Sequence, residues 1–128
     1  GTLVVGETFA ERFTSFRITD DGTLAEPRVW ASVPGTAPDG CTIDAEGAIW
    51  YSDALGSRVV RVRGGDGGGI ITDNVTTPAR TFACMLGGDD RRTLYICTSE
   101  TDNPETAARL KTGRIEQVRV PIPGAGLP

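Results

Sequence analysis

Short runs of β-branched and aromatic residues, many alternating with polar residues, recur along the whole chain. Alternation with a period of two is typical of strands that bury one face, so the chain is predicted to be almost entirely strand. Turn sequences rich in Asp and Gly, such as Asp20-Asp21-Gly22, separate the runs. One stretch, 104–111, is predicted to be helical, with Pro104 at its start. The predicted strands cover 2–8, 13–19, 28–33, 41–44, 48–53, 58–63, 69–75, 81–86, 93–99 and 114–120.

The strands recur at a regular interval. Leu3, Ile49 and Leu94 hold the same place in three similar strands, 46 and 45 residues apart. A repeat of about 45 residues containing four short antiparallel strands is typical of a β-propeller blade. We therefore predict an all-β fold, a partial β-propeller.

The register of the repeat divides the chain into three units. Residues 38–75 supply all four strands of one blade, 1–33 supply the last three strands of the blade before it, and 80–120 supply the first three strands of the blade after it. The chain thus holds roughly two and a half four-stranded blades, whereas closed propellers have about 4–8. We expect missing N-terminal blades, or self-association with other copies, to close the ring.

The composition excludes several classes of function. The chain of 128 residues has no His, which excludes Ser-His-Asp and Cys-His triads and His-rich zinc sites. Its net charge is −4 with no run of Lys or Arg, so no nucleic-acid partner is expected. No apolar run is long enough to cross a membrane.

The three cysteines, Cys41, Cys84 and Cys97, form no CxxC pair, and each lies in an apolar run. This pattern favours a reducing, cytoplasmic compartment over a disulfide framework, although a single Cys84–Cys97 disulfide stays open.

The tripeptide Pro38-Asp39-Gly40 immediately precedes the first strand of the complete blade. In a propeller that strand lines the central channel, so Asp39 is predicted to lie at a channel mouth, held in place by Pro38 and Gly40. A carboxylate placed there can bind a hard cation or a polar substrate. Pro-Asp-Gly is also a common turn sequence, so the interpretation of Asp39 as an ordinary turn residue stays open here.

The next blade has no Asp in the corresponding place. Aligning 82–84 with 40–42 puts Thr81 in the place of Asp39, so the turn itself does not require an Asp. Thr81 and Cys84 then lie at the start of a channel-lining strand, which makes them candidate substrate-binding residues. Burial as a small hydrophobic residue is the alternative for Cys84.

Three further carboxylates near Asp39 are expected to be structural. Asp44 and Glu46 are predicted to cap a hairpin in solvent, and Asp53 is predicted to lie in a loop.

Several segments together resemble the C-terminal part of the SMP-30/gluconolactonase/LRE-like family. They are PDGCTIDAEGAIWYSDALGSRVVRV (38–62), FACMLGGDDRRTLYICTS (82–99) and TGRIEQVRV (112–120), and 2–24 fits the segment just upstream. The resemblance extends over essentially the whole chain. It implies a six-bladed propeller belonging to a family of divalent-metal-dependent lactonases, whose members hydrolyse sugar lactones such as gluconolactone.

By this resemblance, Asp39 is one of three metal ligands, together with a Glu and an Asn, and doubles as the proton donor or acceptor. The implied cofactor is a divalent cation: Ca²⁺, Zn²⁺, Mn²⁺ or Mg²⁺. The family's Glu and Asn come from blades that precede Gly1, and Glu7 and Asn74 are not expected to replace them. We therefore expect the isolated chain to have negligible lactonase activity. A non-catalytic propeller that serves as a binding scaffold with a degenerate metal site is the alternative.

Overall fold

A computed structural model of the chain describes residues 1–126. Strands form in the runs that the alternation predicts, and β6 and β10 have the predicted bounds. The prediction was wrong at the start of two strands: β3 begins at Leu24, and β4 begins at Pro38, so Asp39 lies within a strand and not before it. A two-residue strand, β7, was not predicted. The elements are β1 (Thr2–Glu7), a 3-10 turn (Thr8–Ala10), β2 (Arg12–Ile18), β3 (Leu24–Ser32), β4 (Pro38–Ile43), β5 (Ile49–Asp53), β6 (Arg58–Arg63), β7 (Gly67–Gly68), β8 (Ile70–Thr76), β9 (Arg80–Gly87), β10 (Thr93–Ser99), α1 (Pro104–Leu110) and β11 (Arg114–Arg119).

The strands form three sheets that follow one another along the chain, except that β7 joins sheet 1 although it lies between two strands of sheet 2. Sheet 1 has the strand order β1-β2-β3-β7, sheet 2 has the order β4-β5-β6-β8, and sheet 3 has the order β9-β10-β11. Neighbouring strands are antiparallel except for β3 and β7. The all-β prediction is confirmed, while the division into blades at 1–33, 38–75 and 80–120 stays a prediction.

Sheet 2 lies between the other two sheets and buries both of its faces. The period of two along β5 explains this, because Ile49 and Tyr51 pack toward sheet 1 while Trp50 between them packs toward sheet 3. One core comprises Phe13, Ala31, Val33, Ile49, Tyr51, Val60 and Val62, and the other comprises Trp50, Val59, Cys84, Leu86, Leu94, Ile96 and Val120.

The first strands of the three sheets lie side by side, with β4 in contact with both β1 and β9. Gly40 makes the approach of β4 to β9 possible. A Cβ atom at this position would lie 2.7 Å from the Cα of Ala83 and 2.9 Å from the carbonyl oxygen of Phe82. Since both of these are backbone atoms, only Gly fits here without moving a strand.

The single helix, α1, lies between β10 and β11 and buries none of its residues. Asn103 caps it by accepting a hydrogen bond from the backbone amide of Thr106. The helix ends at Leu110, with Lys111 in the left-handed conformation. No helix within residues 1–126 is long and apolar enough to cross a membrane.

Candidate functional site

A β-bulge sets the direction of the Asp39 side chain. Asp39 and Gly40 lie between Pro38 and Cys41, which pair with β5, and together they face a single residue of that strand. Bulges of this kind re-aim side chains and are common beside active sites. The Asp39 side chain is exposed, and none of the hydrogen bonds or ion pairs formed within residues 1–126 involves its carboxylate.

Asp39 borders a cavity of about 310 Å³ at the end of the molecule where β4 begins. The loops β1–β2, β5–β6 and β10–β11 also reach this cavity, which we name the mouth pocket. Its lining consists of Thr8, Phe9, Ala37, Asp39, Ala54, Leu55, Arg80, Phe82 and Asp102.

Hydrogen bonds from Asp53 hold the chain that leads into Asp39. Asp53 is 2% exposed, and its carboxylate accepts from the Ala37 amide at 2.9 Å and from Nε of Arg58 at 2.9 Å. The Thr8 hydroxyl donates to the carbonyl oxygen of Pro38 at 2.7 Å. The prediction that Asp53 is a loop residue is therefore wrong. Asp53 ends β5, and its two bonds hold the segment before Asp39 in place. The same two partners compensate for the burial of its carboxylate.

Arg80 closes one side of the mouth pocket. Its Nε and Nη2 both donate to the carbonyl oxygen of Ala54, at 3.0 and 2.8 Å, and its outer edge forms an ion pair with Asp102 at 3.3 Å. The guanidinium also lies over the ring of Phe82, 5.4 Å from its centroid. These contacts fix Arg80 and Phe82 relative to the β5–β6 loop.

Thr81 lies beneath the mouth pocket and does not line it. The residue is fully buried, and its hydroxyl donates to the carbonyl oxygen of Arg58 at 2.7 Å. Every contact described for this hydroxyl is with the protein's own backbone. The substrate-binding role of Thr81 stays a prediction that these contacts do not support.

Cys84 packs in the core between sheets 2 and 3. Its Sγ lies 3.5 Å from the carbonyl oxygen of Trp50 and 3.6 Å from that of Gly40. Burial raises the pKa of the Cys84 thiol to about 12, which leaves almost no nucleophilic thiolate at neutral pH. Its substrate-binding role also stays a prediction. Cys84 and Cys97 are free thiols, so the disulfide left open by the sequence does not form.

The strand register changes which residue of sheet 3 corresponds to Asp39. Cys41 and Cys84 pair with residues of β5 and β10 that hold equivalent places in the repeat. Cys84 therefore corresponds to Cys41, and counting back along each strand makes Phe82, rather than Thr81, the counterpart of Asp39. The alignment made from the sequence was one residue out of step because the hairpin between the first two strands differs in length between the sheets. The equivalent pairs Ile43–Ile49 and Leu86–Leu94 are six and eight residues apart.

Residues 1–100 match the profile of the family described as SMP-30/Gluconolactonase/LRE-like region. The chain belongs to this family. The resemblance found in the sequence is thereby confirmed.

One relative and two solved structures are similar to this chain. A 6-deoxy-6-sulfogluconolactonase of Pseudomonas putida is 33% identical over 110 residues, which are 84% of this chain and 37% of that protein. The solved luciferin-regenerating enzyme matches 96% of this chain and 43% of its own, with a TM-score of 0.77 and 21% identity. A calcium-binding protein, regucalcin, of Agrobacterium tumefaciens matches the same shares with a TM-score of 0.72 and 18% identity.

These structural likenesses confirm the predicted partial β-propeller. The chain spans less than half the length of each of these relatives.

The SMP-30/gluconolactonase-like family implies a metal, and Asp39 suits the role of one ligand. Its carboxylate is a hard oxygen donor of the kind that divalent cations prefer, and it is free of partners in the described part of the chain. No group of three or more His, Cys, Asp or Glu within residues 1–126 could hold a metal ion. Asp39 is thus a candidate for one ligand, and residues 1–126 supply no group of three or more such side chains.

Of the two carboxylates in the next turn, Asp44 has different surroundings from those predicted and Glu46 does not. Asp44 caps the hairpin, since it accepts from the amides of Glu46 and Ala48 at 3.0 and 3.1 Å. It is fully buried, however, and its other oxygen accepts from Nε of Arg61 at 2.7 Å. The prediction of a solvent position was wrong for Asp44, because Arg61 of β6 supplies the opposite charge. Glu46 is exposed, as predicted.

Proposed function

We propose that this chain forms part of a metal-dependent hydrolase of sugar lactones, with Asp39 as a metal ligand and as the group that takes up or returns a proton. The unpartnered Asp39 carboxylate beside the mouth pocket carries this proposal. Membership of the family and the likeness to a sulfogluconolactonase support the reaction class.

The residues of the chain have distinct tasks in this reaction. A bound divalent cation would polarise the lactone carbonyl and lower the pKa of a water molecule. The bulge directs Asp39 toward the pocket, where its carboxylate can hold the cation and accept a proton. The bonds of Asp53 to Ala37 and Arg58 keep the segment leading to Asp39 in one geometry.

One carboxylate cannot complete the site. Ca²⁺ takes about 6–8 oxygen ligands, and the other cations of the predicted set also require several. The remaining ligands would come from further blades or from other copies of the chain. Free cysteines at 41, 84 and 97 support the proposed cytoplasmic location.

A non-catalytic propeller scaffold is the second candidate. The specific observation in its favour is that residues 1–126 bring no three ligand side chains together. A propeller fold alone supports many unrelated functions, so the fold does not decide between the two.

Metal binding by the chain tests the role of Asp39 directly. We expect weak Mn²⁺ binding, measured by electron paramagnetic resonance, that is lost in Asp39→Asn. The matched control is Asp89→Asn, which changes another exposed aspartate in a turn away from the pocket. Equal Mn²⁺ binding by all three proteins would contradict the assignment of Asp39 as a ligand.

Activity tests the incompleteness of the site. We expect the 128-residue chain to hydrolyse glucono-δ-lactone no faster than buffer, with or without divalent ions. Joining it to the N-terminal part of the Pseudomonas putida relative should give metal-dependent turnover. In this chimera Asp39→Asn should lower kcat/KM by at least about 100-fold, and Asp89→Asn should leave it unchanged. Robust turnover by the isolated chain would contradict the proposal.

A further inference from the structure

Two large apolar side chains project into solvent at the rim of the mouth pocket. Phe9, in the 3-10 turn after β1, is 95% exposed, and Leu55, in the β5–β6 loop, is 74% exposed. Neither side chain contributes to the two cores. Both line the same cavity as Asp39. Apolar side chains exposed together beside a candidate site are typical of a ligand-binding surface.

Phe82 extends this apolar surface into the pocket. As the counterpart of Asp39 in sheet 3, it is the extra residue of the bulge in β9, between Thr81 and Ala83. The guanidinium of Arg80 lies over its ring and restricts its position. Phe9, Leu55 and Phe82 therefore give the pocket three apolar walls beside the Asp39 carboxylate.

The charges of the pocket disfavour an anionic substituent. Arg80 is its single cationic side chain, and all of its nitrogen atoms are already engaged, by Ala54 and by Asp102. Asp39 adds a second negative charge, which the proposed metal would offset. No unpaired cation is left among the described lining residues to hold a sulfonate, phosphate or carboxylate.

We infer that the mouth pocket binds uncharged lactones that carry an apolar substituent, with Phe9, Leu55 and Phe82 holding the substituent. The inference rests on the proposed function for the lactone ring, and it goes beyond that function by placing an apolar substituent where a sugar lactone carries hydroxyl groups. Asp39 faces the ester group, and the apolar walls face the alkyl or aryl part. The cavity of about 310 Å³ is at the small end of ligand pockets, which fits a lactone with a short side chain.

Ligand binding without turnover tests this inference. We would titrate the ¹⁵N-labelled 128-residue chain with γ-nonalactone, and separately with glucono-δ-lactone, and follow amide shifts by NMR. We expect γ-nonalactone to shift the amides of Phe9, Leu55 and Phe82, with a Kd about tenfold lower than that of the sugar lactone. Tighter binding of glucono-δ-lactone, or shifts confined to other surfaces, would overturn the inference.

Matched variants locate the binding. Leu55→Ala and Phe9→Ala should each raise the Kd for γ-nonalactone about fivefold to tenfold. Ile70→Ala removes an apolar side chain that is 69% exposed and lies outside the pocket, and should change the Kd less than twofold. Because Phe9 and Leu55 are exposed, their truncation leaves the cores intact. Equal effects of Leu55→Ala and Ile70→Ala would contradict the assignment.

The outcome separates this inference from the proposed function. Binding of γ-nonalactone at these residues, together with an inactive chimera, would support the apolar pocket and contradict the proposed hydrolase function. An active chimera with no preference for apolar lactones would support the hydrolase function and contradict the apolar pocket.

Discussion

At the scale of single residues, a buried ion pair outside the mouth pocket joins Asp44 to Arg61. Both side chains are almost completely buried, at 0% and 6% exposure, and Asp44 also accepts two backbone hydrogen bonds. Burying one charge without its partner is costly, whereas replacing both charges is often tolerated. The pair therefore ties the β4–β5 hairpin to the centre of β6.

Asp44→Ala should lower the free energy of unfolding by about 3 kcal/mol, because it leaves the buried Arg61 without its nearest counter-charge. Urea denaturation measures this change. Asp89→Ala, in an exposed turn, is the control and should change stability by less than about 0.5 kcal/mol. Adding Arg61→Met to Asp44→Ala should cost less than the sum of the two single changes. Strict additivity would contradict the coupling.

The sequence predicted the turn at Asp44 but not its burial. The partner, Arg61, is 17 residues away in a strand that also contains Arg58 and Arg63, and nothing in the residue pattern distinguishes the three. Asp39 was singled out in the sequence by its neighbours Pro38 and Gly40. Phe9 and Leu55 were not, because an apolar residue in a loop carries no sequence signal of its exposure.

At the scale of elements, the period of two predicted the strands well because each sheet buries at least one face. Two features of the fold could not be predicted from this period. The hairpin between the first two strands is longer in sheet 3 than in sheet 2, and this difference put the alignment of Thr81 one position out of step. The short β7 pairs with β3 of the preceding sheet through glycines, which have no side chains to form a pattern.

Gly40→Ala tests the close approach of β4 and β9 that the bulge permits. The new methyl group would collide with the backbone of Ala83 and Phe82, so we expect a loss of about 1–3 kcal/mol of stability in urea denaturation. Gly113→Ala is the matched control, since no atom lies within 4 Å of a Cβ there. An unchanged stability of Gly40→Ala would mean that the two strands separate at little cost.

At the scale of the whole molecule, the three sheets differ in how well they are covered. Every residue of β5 is buried, since sheet 2 packs on both sides. The outer face of sheet 1 exposes Leu3 and Val5, and that of sheet 3 exposes Met85 and Ile115. Exposed apolar faces of this kind often mark sites where another protein surface binds.

Amide hydrogen exchange should follow this difference. We expect β5 and β6 to exchange about 100-fold more slowly than β1 and β11, because local opening of a terminal sheet breaks contacts on one face only. The measurement must be made at several protein concentrations, since self-association would cover the outer faces. Protection of β1 and β11 that rises with concentration would identify other copies as the cover. Protection equal to that of β5 even at high dilution would contradict the view that these faces are open in the single chain.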